Sequence, residues 1–250
     1  LIYQSHSSST KHVKIHKFFR HFMGSIPTDR FACSDNAGKW MYGNLDYMVV
    51  KNAIDIDKYI YNEELRKSVR AKWNMDDKIV YSHVGIYMPA KNHKFLIETF
   101  SHIVRKQPSA RLILIGEGEL RDQMEAQILE LGIGDYVTLT GVRYDVDELL
   151  QMTDVFMFPS IYEGFGMPPL EAMKDGKPVL SSNSTSLPEV LGDSAIYFSP
   201  LYETAIFDAL MKLTDCNYSI YSQKSRSRYL YMKKLQEADL EKLVSIILNV

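Results

Sequence analysis

Cysteine is nearly missing from this 250-residue sequence: Cys33 and Cys216 stand far apart, with no CxxC pair and no metal-ligand spacing. That argues against a disulfide framework and predicts two free, buried thiols in a reducing compartment. Long apolar runs are lacking too. No stretch is long enough to span a bilayer, and the first residues do not follow a secretory signal pattern, so a cytoplasmic location is expected. Nor does charge of one sign dominate, the net charge being −2, which leaves no global case for nucleic acid. Repeats and low-complexity tracts are absent apart from the serines of 5–9 and 181–186. With 46% hydrophobic residues the chain has material for one large domain or one and a half. Leu1 in place of an initiating Met predicts a sequence that begins partway through a longer chain.

The most informative stretch is 154–176. Val155 to Phe158 is a short apolar run of the kind that forms a buried parallel strand, ended by Pro159. A glycine loop follows, and Pro168 and Pro169 then mark a helix start that Gly176 closes. A strand, glycine loop and helix start in that order present free backbone N–H groups and the positive end of a helix dipole, which suit a phosphate. Gly164 and Gly166 allow close approach. Glu163 and Glu171 bracket the loop with seven residues between them. Carboxylates repel phosphate but accept hydrogen bonds from hydroxyls, so together with the loop they point to a ligand with phosphates between hydroxyl-rich rings, a sugar nucleotide. Taken singly, Glu163 reads as a solvated loop residue and Glu171 as an ordinary first-turn acid.

Ser160, Glu163-Gly164-Phe165-Gly166, Pro168, Leu170-Glu171-Ala172-Met173, Gly176 and Pro178-Val179 resemble the donor-site signature of retaining glycosyltransferases of family 4, which have the GT-B fold. The resemblance implies that Glu163 contacts the transferred sugar, that the backbone of Gly164, Phe165 and Gly166 holds phosphates, and that Glu171 holds the ribose. Met167 and Leu170 join this donor set by position in the motif.

The remainder of the chain alternates helices and strands, the signal for a doubly wound parallel sheet with ligands at the strands' carboxyl ends. Helices are expected over 63–73, 94–105, 119–131, 146–152, 187–191, 203–213 and 222–248. Strands are expected over 79–84, 111–115, 136–140, 155–158, 178–181 and 195–198. The first 52 residues read as the end of a separate domain, with strands over 31–34 and 47–50 and a helix over 35–42. Its basic segment Lys11 to Met23 fits an amphipathic helix, either with its aromatics in the core or set against an anionic membrane. Four of the seven histidines, His6, His12, His16 and His21, crowd there, but without the acidic or cysteine neighbours of a metal site.

Several of these segments extend the resemblance. Cys33-Ser34-x-x-x-Gly38-x-x-x-Tyr42-Gly43 is similar to the family's stretch ahead of the interdomain linker. Lys51-Asn52-Ala53-Ile54-Asp55 resembles the linker itself, and 3–10 resembles the strand end carrying the acceptor-side histidine, here His6. Gly85, Gly116 and Arg143 fall in donor-binding turns, with Gly141-x-Arg143 placed against the nucleotide base and Lys91 placed to pair with the diphosphate as a point charge. Ser186-Leu187-Pro188-Glu189-Val190 matches the family as part of the fold. Gly116-Glu117-Gly118 lacks the third glycine of a dinucleotide fingerprint. Ile86 is the notable departure, since the family carries Arg there. Losing a charge-assisted contact costs about 1.5–3 kcal/mol, or about tenfold to a hundredfold in rate. Reduced activity, a substitute cation and a degenerate copy are the three outcomes that follow.

The expectation is therefore an N-terminally truncated GT-B enzyme: 1–52 the remnant of an acceptor-side Rossmann-like domain, 53–221 a nucleotide-sugar-binding domain, and 222–250 helices crossing back. It would move a sugar from a nucleotide diphosphate donor, a UDP-sugar first, to a polysaccharide or lipid-linked acceptor with retention. Catalytic roles fall on Glu163, Lys91 and His6, without metal or cofactor. Exopolysaccharide or capsule assembly at the inner face of a membrane, with peripheral membrane contact, is the implied setting. The alternatives are a non-catalytic donor-binding fragment and a nucleotide-sugar epimerase or phosphorylase of the same architecture, although no pyridoxal phosphate lysine signature is visible.

Overall fold

The computed structural model describes residues 2–6, 13–25, 29–53, 60–213 and 215–248. The first sheet has three parallel strands in the order β1 (Ile2–Ser5), β2 (Asp29–Ala32), β3 (Met48–Val49), with Ser5 beside Ala32 and Ala32 beside Val49. Helix α1 (Val13–Arg20) lies between β1 and β2, and α2 (Asp35–Tyr42) between β2 and β3. Strand β2 stops short of the expected Ser34 because that residue caps α2, its hydroxyl accepting the Ala37 N–H at 3.1 Å. The Tyr42 hydroxyl ties the far end of α2 back to the Phe31 carbonyl at 2.9 Å.

The second sheet begins after α3 (Glu63–Lys72). Its strands are β4 (Ile79–Val84), β5 (Ala110–Ile115), β6 (Val137–Leu139), β7 (Val155–Phe158), β8 (Val179–Ser182) and β9 (Ala195–Phe198). Helices α4 (His93–Lys106), α5 (Arg121–Glu130), α6 (Val146–Met152), α7 (Met167–Lys174), α8 (Leu187–Leu191) and α9 (Glu203–Met211) connect and cover them. All strands run parallel in the order β6-β5-β4-β7-β8-β9. The chain builds outward from β4 in one direction and then returns to its other side at β7. Neighbouring loops at that reversal leave toward opposite faces, which opens a crevice at the carboxyl ends of β4 and β7.

Alternation along β7 builds the two cores. Val155 and Met157 join Phe100, Leu112, Leu114, Leu180 and Ile196, whereas Phe156 and Phe158 join Leu170, Met173, Val179 and Leu187. Burial on both faces explains why this strand is apolar throughout.

Element types agree with the sequence, and the ends move for local reasons. Helix α4 starts at His93 because Asn92 takes a left-handed conformation, φ 59°, and breaks the chain direction there. The last helix is longer than expected: α10 (Asp215–Leu248) starts ahead of Ser222, packs on α7, and brings the Asp239 carboxylate within 3.2 Å of both the backbone N–H and the Nζ of Lys51. It thus crosses back to the exit of the first sheet. The basic segment is helical over Val13–Arg20, and Ile15, Phe18 and Phe22 are exposed, not packed in the core. His16 stacks on Trp40, with ring centroids 3.8 Å apart. Cys33 is buried and free as expected, and burial pushes its thiol up to about 11. The side chain of Cys216, the polar loop 7–10 with Lys11 and His12, and Ile54-Asp55 of the linker lie outside the described residues. Among the described residues no helix is long and apolar enough to cross a membrane.

Candidate active site

The crevice between β4 and β7 gathers the residues singled out on the two loops that form it. After β4 the chain makes a turn of 3-10 helix over Pro89–Lys91, and the αL residue Asn92 fixes it by donating its side-chain amide to the Pro200 carbonyl at 3.1 Å. Lys91 is thereby aimed across the crevice. Its Nζ lies 2.6 Å from Glu163 Oε1 and 5.2 Å from the centre of the Phe158 ring, with both members of the ion pair mostly shielded from solvent.

Glu163 sits on a loop pinned at several points. The Ile161 N–H donates to the Ala90 carbonyl at 2.8 Å, which ties the two crevice loops together. The Thr185 hydroxyl accepts from the Glu163 N–H at 3.0 Å and donates to the Glu163 carbonyl at 3.1 Å, and Ser186 donates to the same carbonyl at 3.0 Å. Thr185 does this at φ 48°, a strained position for a β-branched residue. Nothing in the sequence distinguished it from the surrounding serines.

Gly166, at φ 88°, precedes α7, and a β-carbon there would come 2.7 Å from Leu187 Cδ2. Met167, half-buried, opens the helix, while Phe165 and Leu170 are buried and pack beneath the loop, so the Phe165 position offers only its backbone. Glu171 lies one turn into α7. Burial raises its carboxyl to about 7, and among the described residues its carboxylate has no hydrogen-bond or ion-pair partner. It is a carboxylate waiting for donors.

The outer loops are held by backbone. Gly116, at φ 147°, accommodates the Gly85 carbonyl where a β-carbon would lie 2.0 Å away, and its N–H donates to the Gly141 carbonyl at 3.2 Å. The Gly116-x-Gly118 pair is therefore a packing motif between loops. Arg143 closes on Asp145, Nε to Oδ1 2.8 Å, so this side chain is already engaged. Ile86 projects an apolar side chain, 64% exposed, directly after Gly85. Beneath Gly85 lie His83 and His93, ring centroids 4.8 Å apart, and burial holds His83 well below the usual imidazole range and His93 down to about 4. Both are neutral packing residues at physiological pH, and His83 Nδ1 is bonded to the Met157 carbonyl at 2.9 Å.

The first sheet presents its own carboxyl ends to this crevice. Ser34, just past β2, donates its hydroxyl to the Gly164 carbonyl at 2.6 Å. His6 follows β1 at the same sheet edge, next to Cys33 through the Cys33 N–H to Ser5 carbonyl bond of 3.0 Å, and is exposed. Lys91, Glu163 and the glycine loop are in contact. His6 belongs to the first sheet's layer and has no hydrogen bond to any of them among the described residues.

The sequence profile of the family glycosyl transferases group 1 matches residues 65–229. Two curated proteins of Escherichia coli are similar to this chain. The serotype-specific mannosyltransferase WbdA is 34% identical over 147 residues, 56% of this chain and 18% of that protein. The UDP-Gal:alpha-D-GlcNAc-diphosphoundecaprenol alpha-1,3-galactosyltransferase is 26% identical over 190 residues, 71% of this chain and 48% of that protein. Among solved structures, Anabaena Alr3699/HepE in complex with UDP and glucose superposes with a TM-score of 0.86 at 20% identity, covering 98% of this chain and 71% of that one. WaaG, a glycosyltransferase involved in lipopolysaccharide biosynthesis, gives 0.80 at 18% identity, over 98% and 74%. These likenesses show the fold, which is GT-B. The chain spans less than half the length of those two curated relatives.

Proposed function

This chain belongs to the glycosyl transferases group 1 family, and on that premise we propose that it moves a sugar from a nucleotide diphosphate sugar, a UDP-sugar first, to a saccharide or lipid-linked acceptor with retention of configuration. The observation that carries the reading is the pairing of opposites in the crevice: Lys91 and the α7 amino end offer positive charge where a diphosphate fits, while Glu163 and Glu171, the latter without a partner among the described residues, offer acceptors where hydroxyls fit. Lys91 then neutralises the charge that builds on the leaving diphosphate, Glu163 orients the sugar, and Glu171 accepts the ribose hydroxyls. The charge is met by these groups without a metal. His6, at the facing sheet edge, stands on the acceptor side.

In this reading 1–52 is the acceptor-side part, the following residues to the start of α10 bind the donor, and α10 links the two. The relatives' names place them in mannosyl and galactosyl transfer, the latter to a diphosphoundecaprenol acceptor, and this supports a saccharide or lipid-linked acceptor; a cytoplasmic place in exopolysaccharide or capsule assembly is part of the same proposal. The exposed Ile15, Phe18 and Phe22 among the exposed Lys14 and Lys17 support peripheral contact with an anionic membrane.

Calorimetric titration of the chain with UDP, GDP and ADP tests the donor half. Saturable binding of one nucleotide, lost in Glu171→Ala, is the expected result and identifies the base. A second reading, a donor-binding protein without transferase activity, is favoured by Ile86, whose side chain puts methyl groups where the family's cation would meet phosphate. It is selected if nucleotide binds normally and no acceptor is glycosylated. Absence of binding by any nucleotide to the folded chain defeats both.

A further inference from the structure

Glu189 belongs to a segment that reads from sequence as fold alone, yet its carboxylate leaves its own domain. It accepts the Asp35 N–H, at 2.9 Å on Oε1 and 3.1 Å on Oε2, and the Asn36 N–H at 3.4 Å, both at the amino end of α2 in the other sheet's layer. A carboxylate suits that end, where the first N–H groups lack helical partners and the dipole is positive. A short distance away the buried Ser34 hydroxyl and the Cys33 thiol both donate to the Gly164 carbonyl, at 2.6 and 3.3 Å. Because the peptide unit is planar and trans, holding that carbonyl also fixes the direction of the Phe165 N–H. The third participant is α10, whose Arg228 donates to the carbonyls of Glu189 and Val190, the latter at 2.8 Å, and so holds α8 in place.

We infer that Ser34 and Glu189 form a two-point clasp that holds the first sheet closed on the second and sets the shape of the glycine loop, making both positioning residues for whatever that loop binds. The two contacts lie on one short helix end, so losing either loosens the other. The clasp itself does not depend on the donor; only its effect on affinity rests on the proposed function.

Hydrogen exchange on the full chain separates a clasp from a local helix cap. The probes are the amides of Asp35 and Asn36 and, in the loop, those of Ile161 and Glu163, which are bonded to Ala90 and Thr185. Glu189→Ala is expected to speed exchange about tenfold at both groups, the loss that goes with a charge-assisted bond, while β4 and β5 exchange as before. Glu189→Gln, which keeps an acceptor oxygen, falls between. Ser34→Ala gives the same two changes, and the double variant adds little to either single one. Faster exchange at Asp35 and Asn36 alone, or at neither group, overturns the clasp. In a parallel titration with UDP, Glu189→Ala is expected to bind about tenfold more weakly. If the unaltered chain binds no nucleotide, the donor reading fails while the exchange result still judges the clasp.

Discussion

The two ends of β7 handle carboxylates in opposite ways. At the amino end Asp154 accepts the Val80 N–H at 2.8 Å, Arg70 at 3.2 Å and Arg66, and its backbone carbonyl accepts the Tyr218 hydroxyl at 3.0 Å. Arg70 in turn fills its remaining donors with the carbonyls of Met152 and Met75, at 2.7 and 2.6 Å. Asp154, Arg66 and Arg70 are each answered from within the chain. At the carboxyl end Lys91 and Glu163 pair across the crevice, Glu171 has no partner among the described residues, and Ile86 leaves an apolar side chain in the open. A polar network closed on itself is scaffold, and one left open beside a helix amino end is poised for a ligand. Charged residues crowd both ends, so it is their satisfaction and not their number that separates structure from site.

Asp154→Ala is the strongest way to test that contrast. It strands two guanidinium groups whose side chains are only 17% and 10% exposed. The expected loss is about 3 kcal/mol, near the lower limit for breaking a buried pair because solvent reaches part of this one. Urea unfolding measures it. Glu171→Ala, at the open end, is expected to lose no stability in the same assay, and a loss matching that of Asp154→Ala would abolish the distinction between the two ends.

The next effect is a gain. Ile86→Arg restores a cation beside Lys91 at a position exposed enough to accept it without repacking, and transfer is expected to rise about tenfold to a hundredfold with an unchanged unfolding midpoint. Steady-state kinetics with the nucleotide sugar identified by titration checks this. An unchanged rate would mean that charge at this edge of the crevice is already sufficient.

How far the sequence carries depends on the range of the interaction. The alternation of elements and the strand, glycine loop and helix order were legible because they rest on local pattern; the strand order with its reversal at β7 was not. Also legible was the gathering of Lys91 and Glu163 at one site, through the rule that ligands gather at strand carboxyl ends, but not their direct ion pair. Asn92 carried a faint signal, since asparagine tolerates the left-handed region. Thr185 carried none, and Ser34 and Glu189 stood in family-like stretches without any sign of their contacts, because the three partners lie 22, 130 and 154 residues away. The engagement of Arg143 with Asp145 was near in sequence but remained hidden, since spacing does not say which way a side chain turns.

The smallest effect is also the most specific to Glu171. Its carboxyl, raised by burial to about 7 from an ordinary 4.5, is protonated in part of the free protein at neutral pH. Ribose hydroxyls donate to the ionised form, so binding selects that form and releases a proton. Affinity for nucleotide should therefore rise about tenfold between pH 6 and pH 8, following the ionised fraction, and level off above. Stability moves the other way. The folded state keeps this proton up to about pH 7 while the unfolded chain releases it near 4.5, so stability falls as pH rises through that window. Asp175, raised by burial to about 6, acts in the same direction from near the amino end of the sheet. The nucleotide's terminal phosphate titrates in this range as well, and for that reason the decisive quantity is the difference between the chain and Glu171→Gln. The variant cannot ionise at this position, so its binding curve should keep the phosphate's contribution and lose the rest. Coincident curves would remove Glu171 from the ribose and leave the open end of β7 without its acceptor.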